Sequence, residues 1–104
     1  MAASPTQRTL ALLRKEGWTA EVTEKWIPGA NIRRDLFGFI DVLAIRGKEI
    51  IGVQSTSYAN TSARVKKIAE SEHVGAVREA NIQIAVHGWR KVRNRWQVRI
   101  VDCS

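Results

Sequence analysis

Polar and apolar positions alternate along the chain with periods that change from segment to segment. Ser4-Pro5 joins a side-chain hydroxyl to a ring fixed near the helical φ, which predicts a helix with Ser4 as N-cap. Leu10, Ala11, Leu12 and Leu13 form its apolar side, and Gly17 ends it. Met1–Ala3 read as a loose tail. Between Trp18 and Ile27 the residues Trp18, Ala20, Val22 and Glu24 fall on one parity, so a strand is expected, and Pro28-Gly29 turns the chain. Leu36 to Ile45 is a nearly continuous apolar run, interrupted by the single charge of Asp41. Arg46-Gly47-Lys48 then supplies a tight turn into Glu49–Ser57, apolar through Ile50-Ile51-Gly52-Val53 and polar through Gln54-Ser55-Thr56-Ser57. Two such runs predict a β-hairpin placed centrally in a sheet.

Asn60-Thr61-Ser62 caps a helix carrying Val65, Ile68 and Ala69 at helical spacing. His73 to Gly75 kinks that helix or separates it from a short one ending near Ala80. Ile82, Ile84 and Val86 predict a strand, as do Trp96, Val98 and Ile100. The expected order is α-β-β-β-α-β-β. A helix between the third and fourth strands implies a crossover, hence an α/β fold with a central mixed sheet flanked by helices.

Composition narrows the class. At 104 residues the chain is sized for a single domain over 1–104, and 44% hydrophobic with 26% charged residues is globular rather than disordered. Cys103 stands alone, so an intrachain disulfide and a multi-cysteine zinc site are excluded. No run approaches the ~18 apolar residues of a membrane span, and the N-terminus has no secretory apolar core, so a cytoplasmic location is expected. The net charge of +7 suits a polyanion, because each phosphate neutralised by a cation releases condensed counterions. A generically basic protein is the alternative.

Asp41 is the foremost candidate for chemistry. A carboxylate within an apolar strand is desolvated, and it requires a cation or a hydrogen-bonded partner. Either it takes part in a metal or active site, or it pairs with an arginine such as Arg33 or Arg34. In a hairpin closed at Gly47, positions summing to about 94 lie opposite, so Asp41 falls near Val53 and adjoins Gln54. Gln54 and Thr56 share a face, and the three side chains converge at one sheet edge unless the strand merely emerges into solvent there.

A helix, a strand, an Asp-bearing strand, a hairpin to a strand ending in a short polar motif and another helix resemble the PD-(D/E)XK, or restriction-endonuclease-like, nuclease superfamily. The resemblance covers roughly residues 7 to 86, and is nearest to the small Holliday-junction-resolvase-like branch and related short phage proteins. Phe39-Ile40-Asp41-Val42-Leu43-Ala44 is similar to that family's metal-binding Asp strand. Gly52-Val53-Gln54-Ser55-Thr56 falls on its Glu-x-Lys strand, and Gln7-Arg8 stands where resolvases often carry Glu-Arg. The chain departs from the pattern at Gln54 and Gln7, amides in place of acids, and at Thr56, which takes the place of the catalytic lysine. The resemblance implies a Mg²⁺ (or Mn²⁺) cofactor held by Asp41, the Gln54 amide oxygen and the Ser55 carbonyl, with Thr56 or Ser55 positioning the attacking water. Asp35, Glu21 or Glu24 would supply a second carboxylate, and Lys25, Lys48 or Lys66 the absent lysine. It also implies a homodimer, whose two-fold symmetry suits the two strands of a junction.

Cations cluster elsewhere. Arg64, Lys66 and Lys67 lie near the start of the helix after the motif, where they disfavour the helix dipole and hint at an anionic partner; otherwise they form a solvated face, with Glu70 offsetting Lys66. Arg90, Lys91, Arg93 and Arg95, between Trp89 and Trp96 and with Arg99 beyond, suit phosphate contact and base stacking; the duller account makes the tryptophans core or dimer contacts. Arg33 and Arg34 add charge before the Asp strand. His73, His87 and Cys103 have no ligand or catalytic spacing around them, and no Gly-rich phosphate loop, Ser-His-Asp arrangement or dinucleotide fingerprint occurs. Two readings follow: a metal-dependent endonuclease acting on DNA, branched DNA included, or a catalytically inactive nuclease-fold protein that binds nucleic acid. An assembly subunit whose charge serves solubility is a third.

Overall fold

The computed structural model describes residues 3–104, so of the expected tail Met1 and Ala2 lie outside the described residues. Helix α1 (Pro5–Lys15) starts as its sequence requires, with the Gln7 N–H donating to Ser4 Oγ at 3.2 Å. Gly17, at φ +90°, turns the chain into strand β1 (Thr19–Val22). A separate two-stranded hairpin follows, β2 (Lys25–Ile27) with β3 (Ile32–Arg34). Strands β4 (Val42–Arg46) and β5 (Glu49–Ser57) form the expected hairpin. A 3-10 turn at Tyr58–Asn60 leads into α2 (Thr61–Ala69), then come α3 (Val74–Glu79), β6 (Gln83–Val92) and β7 (Arg95–Asp102).

The main sheet has five strands in the order β1-β4-β5-β6-β7. Only β5 and β6 run parallel among its neighbours, and α2 with α3 makes the crossover between them. Alternation along the strands divides the core in two. On one face Val42, Ala44 and Val53 pack with Leu10 and Leu13 of α1 and with Trp18. On the other, Ile84 and Val86 pack with Ile68 of α2, Val74 and Val77 of α3, and Phe39 and Ile40.

The mixed α/β sheet with helices on its faces agrees with the sequence reading, but the element order needs two corrections. The Trp18–Ile27 segment is two strands in two sheets, because β1 leaves the main sheet at Val22 and β2 pairs with β3, which the pattern did not reveal. The Leu36–Ile45 run is strand only from Val42. Leu36–Ile40 is a tight turn, with Phe37 at φ 55° and Gly38 at φ 82°, closed by the Ile40 N–H donating to the Leu36 carbonyl at 2.9 Å. It reads as strand because the turn tucks Phe39 and Ile40 completely into the core. Ile40 also explains Gly52: a Cβ there would sit 2.6 Å from Ile40 Cδ1.

Candidate active site and nucleic-acid interface

The backbone of Asp41 is fixed at the mouth of β4. Its N–H donates to the Val53 carbonyl at 2.9 Å and its carbonyl accepts from the Thr23 N–H at 2.8 Å, while Thr23 Oγ1 donates to the Ile40 carbonyl at 2.6 Å. Val42 pairs with Val53, a sum of 95, one residue from the sequence register. Since Val42 and Val53 face α1, Asp41, Gln54 and Thr56 all fall on the opposite face. The three are buried there together.

Asp41 Oδ2 accepts from Gln54 Nε2 at 2.8 Å and from the Ser55 N–H at 2.7 Å. Among the described residues no cationic side chain pairs with it: Arg33 goes to Glu24 at 3.7 Å, and Arg34 lines a neighbouring cleft. The arginine-paired alternative is therefore set aside. Burial lifts the Asp41 carboxyl from 3.8 to about 7, helped by the Asp35 carboxyl within hydrogen-bonding reach and opposed by the Ser55 and Gln54 donors. Poor solvation and a neighbouring carboxyl together favour the protonated form of Asp41. Gln54 Oε1 is buried with no hydrogen-bond partner, although a buried amide oxygen ordinarily finds one.

Asp35 is carried by the turn after β3, where its carbonyl accepts from the Gly38 N–H at 3.0 Å. Lys67 of α2 brings Nζ to 4.0 Å from Asp35 Oδ2. Asp35 also lines a cleft of about 510 Å³, shared with Thr23, Lys25, Arg34, Phe37 and His73. The acid pair thus connects a buried strand end to an open groove of mixed charge, with Lys25 and Arg34 set against Glu72.

The remaining predicted residues are distributed more widely. Ser55 contributes its N–H to Asp41, but its side chain lies on the α1 face and donates to Thr9 Oγ1 at 2.8 Å. Gln7 does not join Asp41; it lines a separate groove with Arg8 and Trp89. Of the alternative carboxylates, Glu21 sits 3.8 Å from Arg14 and Glu24 pairs with Arg33, leaving Asp35 as the partner of Asp41. Of the alternative lysines, Lys48 occupies the β4–β5 turn at the far end of the hairpin, Lys66 turns to Glu70 at 3.9 Å, and Lys25 lines the cleft. Lys67 approaches the acids instead. Sequence reasoning gives Lys67 only as a phosphate contact, and no periodic signal marks it, because it lies about 120° round α2 from the buried face that Thr61 and Ile68 share.

The cationic segments also need correction. Lys66 and Lys67 lie in the last turn of the nine-residue α2, where cations suit the dipole, so only Arg64 is near its start. Arg90 and Lys91 belong to β6 and Arg95 to β7, while the connecting turn is Arg93-Asn94, at φ 51° and 63°. Trp89 is anchored, its Nε1 donating to Thr9 Oγ1 at 3.0 Å, and Arg8 covers Trp96 at 3.5 Å from the ring centre. Trp89 is thus half-buried and fixed by its ring N–H, while Trp96 keeps one face open, at 42% exposure. Thr9, absent from the sequence reading, is a fully buried junction. It accepts from Ser55 and Trp89, which leaves its own proton for His87 Nδ1 at 3.2 Å. Burial lowers the pKa of that imidazole to about 4, as befits a structural histidine. Burial raises the Cys103 thiol, which keeps it unreactive.

Compared with known proteins, the chain matches no family model, no curated sequence and no solved structure. Among the described residues no three His, Cys, Asp or Glu side chains cluster as a metal site, so a cation here would require the Gln54 amide as well as the two acids. No helix among those residues is long and apolar enough to cross a membrane.

Proposed function

We propose that this chain is a metal-dependent endonuclease of the restriction-endonuclease-like kind, acting on DNA, with branched DNA among its substrates. One observation carries the reading: Asp41 and Gln54 share a sheet face, the Asp35 carboxyl reaches Asp41 from the neighbouring turn, and the Gln54 oxygen is buried without a partner. The fold reading is supported by an α1-flanked antiparallel β1-β4-β5 unit followed by a helical crossover to a parallel β6.

The donor set fits a hard divalent cation. Two carboxyls and one amide oxygen are oxygen ligands of the sort Mg²⁺ and Mn²⁺ take, and the orphaned Oε1 gains a partner on binding. Asp41, Asp35 and Gln54 would hold the ion, with the Ser55 carbonyl as a further donor. When bound, such an ion lowers the pKa of an attacking water and offsets charge on the scissile phosphate. The chain supplies the rest. Asp41, whose carboxyl pKa burial raises, would have to release its proton to serve as a ligand. Lys67 holds positive charge next to Asp35, in the role the superfamily gives to a lysine at the Thr56 position. The Thr56 hydroxyl, on the same face as Gln54, orients water. Arg34 and Lys25 line the cleft through which a phosphate strand reaches Asp35. A homodimer follows from the resemblance.

Purified protein incubated with Mg²⁺ or Mn²⁺ and labelled duplex, single-stranded and four-way DNA tests the reading. Cleavage is expected, with Asp41→Ala abolishing it while DNA binding persists. Binding without cleavage in either metal overturns the enzyme and leaves a nuclease-fold binding protein.

A further inference from the structure

A cationic cluster lies on the same sheet face as the acids, just beyond the C-terminal end of β5. Tyr58 follows β5 directly, and the guanidinium of Arg90 stands 4.0 Å from its ring centre, with that of Arg99 at 5.9 Å. Arg99 pairs with Gly88 and Arg90 with Gln97, so the two arginines are diagonal neighbours on one face of the β6–β7 ladder. Both are exposed. Among the described residues neither has a carboxylate partner, and neither the 3-10 turn nor the first turn of α2 carries an acidic residue. Two like charges therefore share one aromatic ring. The ring's negative face relieves part of their repulsion, and an anion between them would relieve the rest.

The surrounding backbone fixes this arrangement. Thr61 Oγ1 donates to the Tyr58 carbonyl at 2.8 Å, and it occupies the space a Cβ at Gly88 would need. The Tyr58 backbone is therefore held over Gly88 of β6, and its ring projects from a fixed point. Gln54, which bonds Asp41, lies four residues upstream on β5, a distance of roughly 13 Å at strand rise. That is about four nucleotides of B-form strand.

We infer that Tyr58, Arg90 and Arg99 form a phosphate clamp that holds the nucleic-acid strand a few nucleotides from the acid pair. The inference rests on the nucleic-acid part of the proposed function and is independent of cleavage. The decisive measurement is the fluorescence anisotropy of a labelled 20-mer DNA duplex with full-length protein in EDTA, across a salt series. Arg90→Gln/Arg99→Gln is expected to weaken binding about tenfold or more and to reduce the slope of log affinity against log salt by about two. Tyr58→Phe retains wild-type affinity, because the ring face is preserved, whereas Tyr58→Leu weakens binding. Lys15→Gln/Lys48→Gln removes equal charge from other surfaces and stays within about twofold of wild type. Circular dichroism melts identify any variant that fails to fold, and Arg90→Lys/Arg99→Lys, which keeps charge but loses planar stacking, then gives the intermediate affinity expected of a clamp. Unchanged affinity in the double glutamine variant, an equal loss in the Lys15/Lys48 control, or displacement of DNA by poly-glutamate at equal charge overturns the inference. Since metal is withheld, a protein that never cleaves leaves it intact, and a failed clamp leaves the cleavage test standing.

Discussion

Two buried titratable side chains on opposite faces of the sheet pull stability in opposite directions with pH. Asp41 has its folded pKa raised to about 7 from 3.8, so its contribution is fully present below 3.8 and is lost as pH rises through 7. His87 has its folded pKa lowered to about 4 from 6.5, so its contribution is present above 6.5 and is lost as pH falls through 4. Across the shared window they largely cancel. Asp41→Asn removes one side of the balance while keeping an oxygen that accepts from Ser55 N–H and Gln54. Urea midpoints of that variant are expected to climb from pH 4 to 6.5, by up to about 3 kcal/mol, where the wild type stays nearly level. A parallel climb in the wild type would show that Asp41 is ionised throughout. The buried Asp41 itself was plain in the sequence, since one charge in an apolar run must be accommodated somewhere. Its partner was harder to single out. Asp35 reaches it only because Phe37 and Gly38 reverse the chain, and a non-glycine residue at positive φ leaves little trace in composition.

At the level of elements, close packing between β5 and the Leu36–Ile40 turn makes Gly52 hard to replace. Ile40 is fully buried and cannot withdraw from an added methyl. Gly52→Ala is expected to cost about 1–3 kcal/mol in urea unfolding, whereas Gly75→Ala, with open space around it and in a helix, stabilises slightly. Helix α2 offers a paired comparison. Lys67→Met is expected to lower cleavage at least tenfold with DNA binding little changed, because its charge lies against Asp35 rather than the groove wall. Lys66→Met, facing Glu70, leaves cleavage near wild type. Single-turnover rates at saturating protein separate these outcomes. The hairpin, its register to within one residue, and the strands carrying Ile84 and Trp96 were legible, because apolar alternation with turn residues at the ends has few other solutions. The β2–β3 hairpin was hidden because its residues are mostly exposed: Trp26 and Ile32 are half out in solvent, and no buried parity marks the strands. Which of two adjacent lysines faces the acids depends on where α2 seats beside the Asp35 turn, a tertiary placement that helical spacing alone does not carry.

For the molecule as a whole, the +7 charge is unevenly neutralised. Arg14, Arg33, Arg46, Lys66 and Lys67 have carboxylate neighbours, while Arg90, Arg99, Arg93 and Arg95 cluster without one among the described residues. DNA affinity is accordingly expected to fall about tenfold or more when salt is raised from roughly 50 to 200 mM, as several phosphate contacts are lost to counterions. A flat response in an anisotropy titration would remove nucleic acid as the partner. Net charge was readable from composition, but its placement was not. Trp89 and Trp96 look alike in the sequence, yet Trp89 is tied to Thr9 while Trp96 takes Arg8 on one face and stays 42% exposed, because both lie on the sheet face that α1 covers only in part.

The two acids differ in how firmly they are mounted. Asp41 is clamped by ladder bonds on both sides, whereas Asp35 hangs from a four-residue reversal outside the main sheet. Spacing between the carboxyls is thus set by a loop that is free at Phe37 and Gly38 but pinned to the strands at Phe39 and Ile40. Changes confined to Phe37 and Gly38 would therefore alter the separation of the two carboxyls while Asp41 stays put, and, on the proposed metal reading, would shift which divalent ion supports cleavage.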